Sequence, residues 1–443
     1  MPRRTTPRVT RVAPDLIPRF NSPAGLMDAG GPASECWLEK SLPVTGQGVV
    51  SLEVSAEGSF RIILSAQDQS TAGDVIVLEV GAEGACFRNK NDREESSVLK
   101  RTERPGDGLN EGQVNSYWLS LDSQNRRLRY GKGYAQAQLT LMQWDYPAGD
   151  EPAELDPAKL PYAWTEQLEF VCLEGVEPSW EPRVNLYPMP VVADVPALIV
   201  ADSSITMDQL AVGDVTVVEN LSNGCQILYG NVAGPSIQLN TPDFPDFADA
   251  INYSIVTEGC VCYELLKSKE GEFGETNPRG TYLRITLGDN LGDSPGIPYV
   301  LEIWPGQNYS PIHNHSGADA VIKVLHGQIQ SRWYAELSPL YLDYYEKFDL
   351  FEGQVTWLSP EYYQTHQLFN PAPPGHMCAT LQCYRYPDGD NEHYEYFDYL
   401  YKDENGEWQI GQFYPNSDMN YLDFKAAVRA EWNAYVAASE PDV

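Results

Sequence analysis

Short runs of β-branched and aromatic residues, cut by glycine, proline, aspartate and asparagine, recur along most of this 443-residue chain. Such punctuation suits strands joined by tight turns and leaves little room for long helices. Twenty-seven tyrosines strengthen the strand bias, and 33 prolines with 35 glycines supply the turns. The chain is too long for one hydrophobic core, so two or three domains are expected. With 42% hydrophobic residues it is globular. The expected fold class is mainly β.

Alternation is clearest near the N-terminus. Val49–Val54, Phe60–Ser65 and Val75–Val80 read as strands, as do Ser116–Leu121 and Arg127–Gly133 around a polar turn at Asp122–Asn125. Many short strands with turns roughly every 8–12 residues suggest a β-sandwich over residues 20–148. The "ILSAQD…VLEVG" pair and the "SYWLSLD…LRYGKG" hairpin resemble the farnesoic acid O-methyltransferase-like domain, a sandwich module. No Gly-rich dinucleotide fingerprint accompanies them, so a methyl-donor site is not expected. This domain is a candidate for recruiting a glycan or a protein partner, with no ligand residue identifiable.

Residues 1–18 are expected to be a flexible arm: Met1-Pro-Arg-Arg is basic and has no apolar run behind it. Residues 149–240 are expected to be a linker and an uncharacterised segment, with an acidic, proline-bearing start at Gly149–Glu154 and a polar-capped segment at Ser204–Leu210. Helices follow: Phe247, Ile251, Ser254 and Ile255 share one face, and Val261, Leu265 and Leu266 belong to a second helix beyond Gly259. Asn405-Gly406 marks a hairpin between Tyr394–Tyr401 and Trp408–Phe413. Leu422, Val428, Trp432 and Val436 give a closing amphipathic helix.

A net charge of -33 argues against nucleic acid, whose phosphates need a basic footprint. No apolar stretch is long enough to span a membrane. The eight cysteines follow no disulfide framework and read as reduced thiols, which with the missing leader predicts a cytoplasmic location. Cys260-x-Cys262 reads as two buried helix residues and not as a metal pair.

All six histidines lie between His313 and His393. His313 and His315 are two apart, so on a strand both imidazoles face one side and reach one ion. Gly353 and then His366 with Asn370 follow at a distance. The order glycine, His-x-His, glycine, then glycine, histidine, asparagine is the two-motif pattern of the cupin β-barrel, expected over residues 241–443. His326, His376 and His393 read as structural or loop residues.

Residues 245–415 resemble cysteine dioxygenase, a cupin thiol dioxygenase. The likeness rests on "WPGQNYSPIHNHSGADAVIKVLHGQIQ" from Trp304, on Tyr282-Leu-Arg284 upstream and on Thr380-Leu-Gln382-Cys-Tyr384 downstream. It implies Fe(II) on His313, His315 and His366, and catalytic Tyr384, Arg284, Tyr282 and Gln382. It implies substrate contacts from Arg284, Tyr282 and Thr380, with Arg284 gripping the substrate carboxylate. The implied reaction is oxidation of L-cysteine by O2 to cysteine sulfinic acid, a step of cysteine catabolism and taurine biosynthesis. Arg284 favours a carboxylate-bearing thiol, 3-mercaptopropionate being the alternative and cysteamine the least favoured. Another metal-dependent cupin, a lyase, isomerase or binding protein, remains the alternative class. Ala320 stands where the animal enzymes carry a crosslinked cysteine, so no crosslink is expected. Gln382 replaces a histidine that orients the tyrosine. Asp319 lies near the carboxylate ligand of other cupins and is a candidate fourth ligand.

Overall fold

The computed structural model describes residues 35–90, 96–146, 162–176, 183–201, 203–287, 299–386 and 396–439. The chain divides into two compact units, residues 19–194 and residues 195–443. Most of the described residues outside loops are in strands.

The first unit contains β1 (Glu35–Trp37), β2 (Gln47–Val54), β3 (Phe60–Ser65), β4 (Val75–Gly81), β5 (Gly84–Lys90) and β6 (Ser96–Arg101). It continues with β7 (Asn115–Asp122), β8 (Arg127–Lys132), β9 (Thr140–Asp145), β10 (Phe170–Glu174) and β11 (Arg183–Tyr187). One sheet has the order β1-β10-β3-β4-β5-β6 and the other β11-β2-β7-β8-β9. Alternate residues of both sheets meet in one core: Phe60, Ile62 and Leu64 from β3, Leu52 from β2, Tyr117 and Leu119 from β7. The unit is therefore a β-sandwich, as the alternation predicts. Its extent differs from the expectation of residues 20–148. β10 inserts between β1 and β3, and β11 adds to β2, so part of the expected linker completes both sheets. Val171, Leu173 and Val184 from these strands fill the same core.

The second unit contains β12 (Leu198–Val200), β13 (Thr216–Val217), β14 (Leu283–Leu287), β15 (Tyr299–Trp304), β16 (Asp319–His326), β17 (Gln328–Trp333) and β18 (Glu346–Phe351). It goes on with β19 (Val355–Leu358), β20 (His366–Phe369), β21 (Cys378–Arg385), β22 (Phe397–Lys402), β23 (Trp408–Phe413) and β24 (Met419–Asn420). An eight-stranded sheet has the order β13-β12-β19-β16-β21-β15-β14-β24. Opposite it lie the ladder β18-β17-β20 and the hairpin β22-β23, joined through bridges from His313 to His366 and to Tyr399. Trp304, Ile322 and Val324 of the large sheet share a core with Ile329, Leu350 and Leu368 of the small one. Among the described strands this hydrogen bonding does not close into a complete ring.

Five helices are described in this unit, and all but the first pack against the large sheet. They are α1 (Met207–Val212), α2 (Asn223–Val232), α3 (Phe247–Val256), α4 (Val261–Ser268) and α5 (Tyr421–Ser439). α1 starts with a capping box between Thr206 and Gln209, which the polar-capped segment foreshadows. α2 lays Cys225, Leu228 and Val232 on the sheet. α3 and α4 run where their periodicity places them; Phe247 and Ile251 pack with Leu283, Ile285, Leu301 and Ile303. Cys262 is buried in α4 and Cys260 precedes it as the N-cap, only partly buried. In α5 the buried face is Phe424 and Val428, whereas Leu422 is 74% and Val436 39% exposed. At about 100° per residue, position 424 sits roughly 40° from 428 but position 422 roughly 120° away, so Leu422 lies off the stripe. The hairpin forms as Asn405-Gly406 predicts, with Gly406 at φ 79°; Tyr394 and Glu395 lie outside the described residues.

Candidate metal centre

His313 is not in a regular strand. It forms an isolated bridge, donating from its backbone N to His366 O at 3.0 Å and accepting from His366 N at 2.9 Å. Because non-neighbouring segments are locked back to back here, the His-x-His segment and β20 present their imidazoles to one another. His315 follows, ahead of a turn in which Ser316 (φ 49°) and Gly317 (φ 79°) are left-handed. Gln364 clamps this turn: its Oε1 accepts from His315 N (2.9 Å) and Gly317 N (3.2 Å), and its Nε2 donates to Ala318 O and Ser359 O. Gln364 lies in the second motif, but only the fold shows that its amide ties the two motifs together.

The three histidines His313, His315 and His366 form one buried cluster. His315 Nε2 lies 3.2 Å from His313 Nε2 and 3.2 Å from His366 Nε2. Nitrogens each about 2.1 Å from one ion, at angles between octahedral and tetrahedral, are about 3.0–3.4 Å apart, so the spacing fits a shared metal. The hydrogen bonding points the same way. His313 Nδ1 lies 2.9 Å from Pro311 O, so Nδ1 carries the proton and Nε2 offers its lone pair inward. His315 Nδ1 is buried and has no hydrogen-bond partner. Buried lone pairs converging this closely repel one another unless a cation lies among them. Burial pushes His313 down to about 4 and His315 and His366 well below the ordinary range, so all three are neutral at pH 7 and able to offer lone pairs to a metal. The Arg284 charge also lowers His313 and His315, which places the guanidinium within electrostatic reach.

The wall beside the cluster comes from one face of the large sheet. Arg284 pairs with Glu302 in register across β14 and β15, Glu302 with Thr380 across β15 and β21, and Tyr384 with Ala320 across β21 and β16. Residues two apart share that face, which adds Gln382. Tyr384 packs at 5.1 Å from the His315 ring, and Phe397 at 4.5 Å from it. Tyr384 Oη donates to Gln382 Oε1, which holds the phenol in place. Burial keeps the phenol neutral by raising it well above 10. Ala320 opposite Tyr384 offers no thiol, as expected.

Four residues have surroundings other than those expected. Arg284 already has partners inside the protein: Nη1 is bonded to Glu302, Nε donates to Pro415 O at 3.3 Å, and its backbone N donates to Asp418. The sequence signal for Glu302 is a lone acid inside the apolar run Val300-Leu301-Glu302-Ile303-Trp304, the mark of a buried polar contact. Thr380 Oγ1 accepts from Trp304 Nε1 at 3.1 Å, which makes it a sheet-locking group. Tyr282 stacks on Trp304 with ring centroids 4.2 Å apart and on Phe273, so its ring belongs to the packing under the site. Asp319 is excluded from the ligand set: it accepts from Ser222 Oγ at 2.6 Å, at the start of α2, and contacts Cys225 Sγ. Asn370 is a staple, with Nδ2 donating to Trp304 O and His376 O. His326 lies at the end of β16, 3.6 Å from Glu352, and His376 follows a turn; His393 lies outside the described residues.

Gln364→Ala is expected to lower metal affinity about 10–100-fold while the fold persists, because the His315 turn loses its clamp. Competition against a chromophoric chelator measures this, and an unaltered affinity would dismiss the clamp.

No protein-family model matches the chain, and no curated protein matches it. Among solved structures it is similar to a cupin superfamily protein from Desulfitobacterium hafniense (15% identity, 24% of this chain and 77% of that chain, TM-score 0.18). It is also similar to the EutQ protein of Clostridium difficile (13% identity, 26% and 74%, TM-score 0.19). A third is the Cupin_2 domain of an XRE family transcriptional regulator from Enterobacter cloacae (11% identity, 24% and 97%, TM-score 0.19). The first and third are described as cupin proteins; with TM-scores this low the chemistry of the site is read from its own geometry. No helix among the described residues is long and apolar enough to cross a membrane.

Proposed function

We propose that the chain is a non-haem Fe(II) thiol dioxygenase. One observation carries this reading: three buried, neutral imidazoles converge through Nε2 with a neutral phenol, Tyr384, packed against the central one. The balanced reaction is RSH + O2 → RSO2H, in which sulfur gives up four electrons and both oxygen atoms end on it. Fe(II) on the three histidines would supply O2 activation and bind the thiol as thiolate. Neutral ligands leave the ion's charge uncancelled, which favours that thiolate. The chain's own residues do the positioning. Phe397 and Phe413 pack around His313 and keep the pocket apolar. Gln382 fixes the Tyr384 hydroxyl beside the ligand set, where it stabilises charge developing on oxygen.

The test is O2 consumption by Fe(II)-loaded protein with a series of small thiols. L-cysteine, the substrate that the resemblance implies, and 3-mercaptopropionate serve as references. One sulfinate per O2 supports the reading; no uptake with any thiol despite bound iron overturns it in favour of a lyase, isomerase or binding role. Tyr384→Phe is expected to lower kcat about 100-fold with iron content unchanged. Full activity in that variant would reduce Tyr384 to packing. A glycan or protein partner for the N-terminal sandwich and a cytoplasmic location belong to the same proposal and rest on sequence alone.

A further inference from the structure

We propose that Glu302 occupies on Arg284 the place a substrate carboxylate would take, so that the pocket accepts a small thiol bearing an amine and no free carboxylate. This rests on the thiol dioxygenase reading.

The wall is a completed relay. Arg284 Nη1 donates to one oxygen of Glu302, Gln382 Nε2 donates to the other, and Tyr384 donates to Gln382 Oε1. Arg284 is 5%, Glu302 2%, Gln382 1% and Tyr384 2% exposed. A guanidinium grips a carboxylate by directing its N–H fork at it. Here Nη1 of that fork already has a carboxylate, supplied from the neighbouring strand in register. A second carboxylate meets a wall of zero net charge, because Arg284 and Glu302 cancel. To take the Nη1 position it would displace Glu302 and leave a buried carboxylate without its cation, an arrangement proteins avoid. Lys269, whose charge also reaches Glu302, is already paired with Asp418 and Glu272.

An amine meets the opposite situation. A carboxylate has about four acceptor positions, and the donors Arg284 and Gln382 leave Glu302 capacity for a further N–H. An amine-bearing thiol with no carboxylate therefore adds a donor where acceptors remain and brings no anion to the buried acid. The same residues that suggest a carboxylate grip in the sequence thus reverse the preference once Glu302 is placed beside them.

The experiment compares kcat/KM of the Fe(II)-loaded full chain at pH 8 for cysteamine, L-cysteine and 3-mercaptopropionate. Cysteamine is expected to exceed both carboxylate thiols by at least about 100-fold. A preference for either carboxylate thiol overturns the proposal. A second measurement needs neither iron nor turnover. Propionate is titrated into metal-free wild type and Glu302→Gln, and the thermal midpoint is followed. The midpoint of the variant is expected to rise, because Arg284 is released, and that of wild type to stay fixed. An equal response of the two proteins, including none in either, overturns the role of Glu302. If no thiol supports O2 uptake while propionate rescues only the variant, the dioxygenase reading fails and the carboxylate stand-in survives.

Discussion

His315→Ala is expected to reduce metal content from about one ion per chain to less than about a tenth, and to abolish thiol-dependent O2 uptake. His315 is the central member of the cluster, since its Nε2 lies 3.2 Å from each of the other two. Without it the remaining pair holds an ion by two nitrogens only. The side chain is 1% exposed, so the truncation also leaves a small cavity, and a melting curve must accompany the metal analysis. A folded variant that keeps full metal stoichiometry would remove His315 from the ligand set. Acid should act through the same residues. The native imidazoles are held below their ordinary value of 6.5, His313 at about 4. Unfolded histidines take up protons below about pH 6.5, whereas the native ones do not, so falling pH favours the unfolded chain. For His313 alone this removes up to about 3 kcal/mol between pH 6.5 and 4 in the metal-free protein. A metal on the three nitrogens should shift that loss to lower pH.

The histidine cluster was legible in the sequence because its signal is mostly local. His313 and His315 are fixed by a two-residue spacing, and His366 by the second motif. Even so, spacing suggested a strand where the structure has a bridge and a turn, and the clamp that makes the turn work, Gln364, is 49 residues from His315. Alternation identified β2, β3, β4, β7 and β8, whose inward residues are strongly apolar. It did not identify β10 and β11, which are five residues each and are defined by the strands they pair with. Pairing between distant segments leaves little trace in either one alone. Arg284 shows the same limit at the level of chemistry. Its residue type was legible, but whether its charge is available depends on Glu302, which only the register of β14 with β15 sets opposite it.

Arg284→Met is expected to destabilise the chain by about 3–5 kcal/mol, because it leaves Glu302 buried without its cation. The companion Arg284→Met/Glu302→Leu variant is expected to recover most of that loss. An apolar pair of similar volume escapes the cost of drying two charges, which the native pair only partly offsets. Urea midpoints of wild type, both single variants and the double variant close the cycle, and the coupling should be large because the two groups touch. Additive losses would mean that the pair is not coupled in solution. The pH dependence of the single variant provides a second check. Burial pushes the Glu302 carboxyl up to about 7 even beside Arg284. The native state therefore holds this proton more tightly than the unfolded chain, and between about pH 7 and 4.5 falling pH favours the native form at this site. Without Arg284 the carboxyl should rise further, so the deficit of Arg284→Met should shrink as pH is lowered from 8 toward 6. A deficit that stays constant over that range would place its origin in lost packing of the arginine stem, not in an uncompensated charge.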